Sequence, residues 1–588
     1  MHNLEVARTL TLLADLLEIQ GANPFRIRAY RNAVNTIQGL SRQLEAMLAE
    51  GEDLTQLPDI GKNVAAHIEE LIRTGSIDRL REVEAEIPRS LVELVELEGL
   101  GPKKARKLYD ELGIRSLDDL RAALDSGRVA ELPGFGARSA EKLRRALERR
   151  QGESRRRFRI DEAEALIEGL VEHVRAAPGV EGVEVAGSLR RRKETIGDVD
   201  LLALAEGDGT PVVEHFVAYP GASTAEAAGP TKGSIVLGSG LQVDLRVVPA
   251  RSFGAALVYF TGSKEHNVAM RTRAVRSRLR VNEWGVFRVP EGVDPDTLGK
   301  EEGERIAGET EESVYEALGM AWVPPVLREN RGEIEAALEG RLPELVALDD
   351  IRGDLQMHST WSDGKTSIEE MARACLARGY EYLAITDHSQ AMAMVQGLTP
   401  KRAREQWSEI DEARERVPDI EILRSCEVDI LKDGSLDMPD DVLEELDIVV
   451  VSVHTLLDMD GPAMTERVLR AIAHPAVDVL AHPTGRRLDK RGPIAMDVEA
   501  VLQAAAELSV AVELNANPRR LDLDDVHVRR AKELGVPVVI STDAHAPAEL
   551  DHMRFGVDQA RRGWLGPGDV LNTRPAAELK AWLGRRRR

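Results

Sequence analysis

The segment VAGSLRRRKETIGDVDLL, residues 185–202, decides the fold of the central part of the chain. It reads as a strand, a Gly187-Ser188 turn, the basic cluster Arg190–Lys193 and then Asp198-x-Asp200 inside an apolar strand. Strand side chains alternate between faces, so the two aspartates share one face. A third carboxylate, Asp244, sits in a second apolar run, LQVDLRVV. Three convergent carboxylates can hold two divalent cations, Mg2+ or Mn2+. Phosphoryl transfer uses such a pair, one cation for the attacking hydroxyl and one for the triphosphate and departing pyrophosphate. Gly187 and Ser188 offer donors to phosphate oxygens, and Arg191 adds a charged fork.

Outward from this segment, residues 160–325 mix helices with short β-rich runs (VEVAG, DVDLLAL, GSIVLG, LQVDLRVV), an α+β pattern. The first 150 residues show helical spacing and no strand-like alternation. Residues 326–349 read as a helical linker. From residue 350 seven β-rich runs alternate with helical segments: GDLQMH, EYLAITDH, IEILRSCE, LDIVVVSVH, VDVLAHP, VAVELNAN and VPVVISTDAH. That alternation favours a parallel β/α barrel over an open sheet. The expected domains are 1–85 and 86–155 (helical), 156–250 (palm-like α+β), 251–325, the linker 326–349, and the barrel 350–588.

A chain of 588 residues exceeds what one hydrophobic core supports. The formal charge of −23 argues at first sight against a nucleic-acid partner. Basic residues nevertheless cluster at Arg155–Arg157, at Arg190–Lys193 and along Arg271, Arg273, Arg276, Arg278 and Arg280, which allows a local basic channel. Cys375 and Cys426 cannot build a disulfide framework and read as free thiols of a reducing cytoplasm. No apolar run reaches membrane length and the N-terminus lacks a signal-peptide profile, so a cytoplasmic monomer without a membrane partner is expected.

One pattern recurs in the helical region: LPDIGKNVAAHI (57–68), LEGLGPKKARKL (97–108) and LPGFGARSAEKL (132–143). A glycine turn before a helix start presents backbone N–H groups to a phosphate. The repeats resemble helix-hairpin-helix motifs, which grip the DNA backbone without reading sequence. That resemblance makes Gly61, Gly99, Gly101, Gly134 and Gly136 DNA-contacting, with Lys103, Lys104 and Lys107 adding charge. The first hairpin also resembles that of relatives carrying a deoxyribose-phosphate lyase, in which a Schiff-base lysine occupies the place of His67; histidine lacks the primary amine.

The run YFTGSKEHNVAMR (259–271) closely resembles the dNTP-binding segment of family X DNA polymerases, and VNEWGVF (281–287) follows the same pattern. The resemblance covers residues 1–325. It implies a Tyr259-Phe260 turn that crowds a ribose 2′-hydroxyl, a close approach at Gly262, and Asn267 on the incoming base. It places Ser188, Arg191 and Gly197 at the nucleotide, Arg271 in the template minor groove, and Asn282 and Glu283 near the nascent pair, with Arg159 as a further triphosphate contact. Gln242 departs from the arginine that the family's beta enzyme carries two residues before the third aspartate. The implied partners are gapped or primer–template DNA and dNTPs.

The barrel's strand ends carry His358, Asp363, His388, Glu427, His454, His482, Asp543 and His545. Such ends share one face, so these groups are expected to converge. Mixed imidazole and carboxylate suits Mn2+, Zn2+ or Fe2+ better than Mg2+ alone. His474, His527 and His552 fall within helices or loops and are assigned no role. The pattern MHSTWSDG…ITDHS…CEVD…VSVH…AHPTGR…STDAH is similar to the polymerase-and-histidinol-phosphatase (PHP) domain, over about residues 350–570. That resemblance implies a three-metal Mn2+ or Zn2+ cluster for phosphoester hydrolysis. The family's first motif reads HxH, whereas here Gln356 stands in the first place. Fusion of PHP to a family X polymerase is the bacterial arrangement, associated with 3′→5′ exonuclease and 3′-end processing in DNA repair, usually with Mn2+. The competing readings are a polymerase with a structural PHP domain, a small-molecule phosphatase with a vestigial polymerase, and a DNA-end scaffold.

Overall fold

The computed structural model describes residues 1, 3–38, 40, 42–95, 97, 99–136, 139–144, 147, 156–293 and 298–586. The chain forms two compact units, Met1–Arg156 and Arg157–Arg588. No described helix is long and apolar enough to cross a membrane.

The first unit is helical, with long helices Asn3–Gln20 and Pro24–Gln38 and shorter ones around a single leucine- and isoleucine-rich core. Gly61 and Gly101 stand at the N-caps of the helices Lys62–Thr74 and Pro102–Leu112. Before them the backbone turns through the left-handed region, at Asp59 in the first hairpin (φ 59°) and Gly99 in the second (φ 89°). The third hairpin turns at Gly134 and Gly136 (φ 91° and 46°), and the helix it leads into lies partly outside the described residues. Lys107 donates to the Pro133 carbonyl at 2.7 Å, joining the second and third repeats.

The second unit opens with a five-stranded sheet in the order Val180–Val185, Asp198–Ala205, Gln242–Val248, Lys232–Leu237, Ala222–Ala227. All neighbours are antiparallel except the second and third strands, which run parallel. Val199, Leu201, Val243 and Leu245 face the helices Ile160–Arg175 and Thr210–Val217 in one core. Leu202, on the other face, packs with Ala256 and Leu257 of the helix Phe253–Thr261. Alternation therefore commits Asp198 and Asp200 to the face carrying that helix. A three-stranded sheet follows, Leu279–Asn282, Gly285–Arg288 and Glu304–Ala307.

The segment expected to be a helical linker, 326–349, is instead built into the unit. Val326, Leu327, Ile334 and Ala337 belong to the core beneath the small sheet, and Val346 belongs to the barrel core. Its helix is short, Glu333–Leu338. Gly340, in the left-handed region, and Pro343 prevent it from continuing.

The C-terminal part is a barrel of seven parallel strands in sequence order, from Gly353–Met357 to Val538–Ser541, nearly closed by a bridge between Met357 and Ala544. The strands are apolar on both faces, as a doubly covered parallel sheet requires. Leu383, Val449, Val512 and Ile540 pack against the flanking helices. Leu355, Tyr382, Leu423, Val450 and Val539 form a second core, with Leu579, Trp582 and Leu583 of the C-terminal helix.

Candidate active sites

In the sheet site, Asp200 lies opposite Asp244 across the parallel strand pair, and Asp198 lies opposite Gln242. The three carboxylates thus occupy two adjacent rungs of one face. Asp198 is exposed, while Asp200 and Asp244 are half-buried. Burial, with Asp198 and Asp244 close by, pushes the Asp200 carboxyl up to about 7. Gln242, in place of the family's arginine, donates its amide to Asp244 at 3.2 Å. Gly187 has φ 63°, and a β-carbon there would meet Asp200 Oδ2 at 2.6 Å, so the turn and the carboxylate require glycine together.

Tyr259 and Phe260 sit in the last turn of the helix Phe253–Thr261, not in a turn outside it, because the apolar run FGAALVYFT stays helical until Gly262 caps it. Phe260 lies under Arg246, with the guanidinium 5.3 Å from the ring centre, and Arg246 shares the face of Asp244 two residues before it. Asn267 donates to the Tyr259 carbonyl at 2.6 Å, and a β-carbon on Gly262 would meet the Asn267 side chain at 2.9 Å. Gly197 packs beside the Arg157 guanidinium. Ser188 lies in the short helix Gly187–Arg190. Arg191 is held by Glu329 (3.1 Å) and the Thr261 carbonyl (2.7 Å). Arg271 is exposed on the helix Lys264–Arg276. Asn282 and Glu283 are tied to Lys300 by hydrogen bonds of 2.7 and 2.9 Å. Arg159 is engaged by Asp161, Glu162 and Asp489.

In the first unit the exposed Lys103 begins the helix after the second hairpin, and Lys104 donates to the Gly99 carbonyl at 3.3 Å. His67 is bonded to the Tyr30 hydroxyl at 2.8 Å through Nδ1. Arg155 of the first basic cluster lies outside the described residues.

The eight barrel residues converge. Glu427 is central: His482 Nε2 lies 2.9 Å, His388 Nδ1 3.1 Å, His454 Nε2 3.5 Å and His358 Nε2 3.7 Å from its oxygens. His358 also contacts Asp543 at 3.1 Å, and Asp363 lies 3.3 Å from His545 and 3.7 Å from His388. His358 stacks between His388 and His545, with ring centres 4.5 and 4.4 Å away. Two groups have spacing that fits a metal ion: His358, Asp363, His388 and His545, and His388, Glu427 and His454. Against the burial that opposes charge, Glu427 and Asp363 push His388 up to about 9, and Asp363 and Asp543 do the same for His545. Asp363 is held well below the usual carboxylate range by the same histidines despite its burial. Such opposed shifts mark imidazoles and carboxylates packed closely enough to suit a shared cation.

The residues fit such a group on a second count. Gln356 is 1% exposed, and neither polar atom of its amide has a hydrogen-bond partner among the described residues. His358 Nδ1, Glu427 Oε2 and His482 Nδ1 are likewise buried without hydrogen bonds. His482 and Asp543 take left-handed φ values of 26° and 54°, strain that clusters at functional sites.

The helix-hairpin-helix domain model matches residues 1–77 and the SAM-like helix-hairpin-helix tandem model residues 91–149. The DNA polymerase beta thumb matches residues 256–329, and the PHP domain residues 354–515. The DNA polymerase/3′-5′ exonuclease PolX of Bacillus subtilis (strain 168) is 38% identical over 587 residues, spanning 100% of both chains. The chain belongs to the PolX family. It joins helix-hairpin-helix and polymerase beta-like elements to a C-terminal PHP domain. DNA polymerase lambda of Rattus norvegicus is 26% identical over 353 residues, 56% of each chain. A probable phosphatase of Thermoanaerobacter sp. (strain X514) is 27% identical over 234 residues, 38% of this chain and 90% of its own.

Several groups at the PolX-family barrel site were not singled out from sequence. Asp429 bonds His454 Nδ1 at 3.1 Å, and Asp387 accepts from Ser359 N, at 2.9 Å, and from Gln406, at 2.6 Å. Glu513 accepts from the His482 amide at 2.6 Å, and burial beside Asp543 raises its carboxyl well above the usual range. The signal for Asp429 was present: it lies two residues after Glu427 on the same strand face. At the rim, Arg520 lies 3.6 Å from Asp543, and the Leu488 amide bonds the Arg519 carbonyl at 2.8 Å, joining two arginine-bearing loops. Arg520 Nη1 and Arg487 Nε are buried without hydrogen-bond partners among the described residues, and Arg487 Nε lies 4.0 Å from Asp489.

Proposed function

We propose that the chain is a template-directed DNA polymerase that fills short gaps in DNA repair and carries a second, 3′→5′ exonuclease or 3′-end phosphoesterase site in its PHP domain. The observation that carries the first activity is the in-register pair Asp200 and Asp244 with Asp198 beside them. Asp198, Asp200 and Asp244 would hold two Mg2+ or Mn2+ ions, which supply the charge that phosphoryl transfer from a dNTP to a primer 3′-hydroxyl needs. Ser188, Arg191 and Gly197 take the triphosphate, and Tyr259 and Phe260 close the sugar side, with Gly262 and Asn267 fixing the turn that follows. Arg271 faces the template strand. The hairpin backbones at Gly61, Gly99, Gly101, Gly134 and Gly136, with Lys103, hold gapped or primer–template DNA by its phosphates.

In the barrel, His358, Asp363, His388, Glu427, His454, His482, Asp543 and His545 would hold Mn2+ or Zn2+, which supplies the activated water and the charge for phosphoester cleavage. Glu427 would share one ion with His388 and His454. Asp429 and Asp387 fix the orientation of neighbouring side chains. The guanidinium groups of Arg520 and Arg487 at the rim suit the phosphate of a DNA 3′ end. The protein acts in the cytoplasm as a monomer.

The test is primer extension on a one-nucleotide gap with a 5′-labelled primer, with and without dNTPs, in Mg2+ and in Mn2+. Lengthening with dNTPs and shortening without them are expected, the latter chiefly in Mn2+. No lengthening under any condition contradicts the polymerase reading, and no shortening contradicts the nuclease reading.

A further inference from the structure

The loop 191–194 connects the short helix Gly187–Arg190 to the short strand Thr195–Ile196 that leads into Asp198-x-Asp200, and the barrel domain grips it. The barrel helix Met553–Arg562 supplies most of the contacts. Arg562, 3% exposed, donates through Nη1 to the Arg191 carbonyl at 2.6 Å and to Glu329 at 3.0 Å. The same Glu329 oxygen accepts from Arg191 Nε at 3.1 Å. Arg562 Nη2 is anchored by Asp525 at 2.5 Å, and Asp525 in turn holds Arg331, two residues after Glu329, at 3.1 Å. Gln559 donates to the Arg192 carbonyl at 3.0 Å, and Arg192 donates to Asp558 at 2.6 Å. Arg192 has φ 59°, a backbone conformation that a side-chain-bearing residue keeps only when its surroundings hold it there. Farther along the loop, Glu194 pairs with Arg486 at 2.7 Å. The apolar layer agrees: Leu521 and Phe555 of the barrel are members of the palm core, and Trp564 packs on the thumb core.

Arg191 is the cation of this loop that the triphosphate would meet. Its Nε and Nη1 are spent on Glu329 and the Thr261 carbonyl, and Nη2 has no hydrogen-bond partner among the described residues. A guanidinium held at two nitrogens presents the third in a fixed direction. We propose that the relay Arg562–Glu329–Arg191 makes the PHP domain a positioning element of the polymerase nucleotide site: Arg562 does not touch substrate, but it sets where Arg191 meets the triphosphate. The fused domain then has a role in synthesis that is separate from its own metal site.

The inference rests on the polymerase reading, so dNTP incorporation by the wild-type full chain is measured first, and its absence sinks that reading rather than the relay. Steady-state incorporation on gapped DNA is then compared for Arg562→Ala, Arg562→Lys and Glu329→Gln in the full chain, with 3′ degradation in Mn2+ and melting temperature followed in parallel. A misplacement of about 1 Å can cost about 100-fold. Arg562→Ala is expected to raise the KM for dNTP by roughly tenfold or more, with a smaller change in kcat and unchanged nuclease activity, and Arg562→Lys to recover part of the loss. Adding Glu329→Gln to Arg562→Ala is expected to cost little more, because both break one relay. If Arg562→Ala does not fold, Arg562→Lys and Gln559→Ala carry the same comparison. An unchanged KM for dNTP in the folded variants overturns the proposal, as does an equal loss of both activities, which marks a merely structural contact.

Discussion

Asp200 and Asp244 stand directly opposite each other on neighbouring parallel strands, and a β-carbon on Gly187 would come within 2.6 Å of the Asp200 carboxylate. Burial, with Asp198 and Asp244 close by, opposes ionisation and pushes the Asp200 carboxyl up to about 7.

The pH consequence has a definite sign. Asp200 is raised in the folded chain from its ordinary value of 3.8 to about 7, so the native state binds the proton more tightly over that window. Its contribution to stability is full below the ordinary value and is lost as pH rises through about 7. In metal-free protein, Asp200→Asn should therefore melt higher than wild type at about pH 8, and the difference should vanish towards about pH 4. Mg2+ or Mn2+ should restore the wild type at the higher pH and have less effect on the variant. A melting difference independent of pH contradicts this account of the carboxylate cluster.

At the first hairpin the chemistry of a lyase is missing. His67 is bonded to Tyr30 at 2.8 Å and is kept below its ordinary pKa by burial, so it stands neutral and has no primary amine. Borohydride treatment of the chain on an incised abasic substrate should trap little covalent adduct. An efficient cross-link that survives His67→Ala and disappears in Lys62→Ala would show that the exposed lysine at the start of the same helix has taken over the reaction.

Gln356 points to a weakened but working metal position. Its amide is buried and unpartnered one strand-face step before His358, where a carbonyl oxygen can still serve as a ligand. Replacing one imidazole in a shared site should cost about 10–100-fold in affinity for one ion. Gln356→His should therefore tighten Mn2+ binding by about that factor in a calorimetric titration, with little change in dNTP incorporation. Equal Mn2+ affinity in the two proteins would remove Gln356 from the coordination shell.

The two sites were legible in the sequence because each depends on short-range periodicity. Asp198 and Asp200 lie two residues apart on one strand, and the barrel's histidines fall at the ends of strands that topology gathers on one face. What was not legible depends on contacts across hundreds of residues. Nothing near Arg191 announces that Glu329 and Arg562 will hold it, and Phe555 reads as a residue of a barrel helix, not of the palm core it joins. The segment 326–349 misled for a related reason. Its apolar spacing resembles an amphipathic helix, but Val326 and Val346 are buried in different cores, so the chain must extend between them. Tyr259 and Phe260 belong to a helix because they share the nine-residue apolar run FGAALVYFT before Gly262, a continuity that the motif alone conceals.

The central claim is that one chain holds two independent phosphoryl-transfer sites, and reciprocal inactivation in the full-length protein tests it most directly. Asp200→Ala and His358→Ala are each assayed with the same 5′-labelled primer on gapped DNA in Mn2+, with and without dNTPs, after confirming that both melt near wild type. The account predicts that Asp200→Ala loses extension by orders of magnitude and keeps shortening the primer, while His358→Ala extends normally and no longer shortens it. Extension by Asp200→Ala within about tenfold of wild type, or loss of both activities in either single variant, would contradict it.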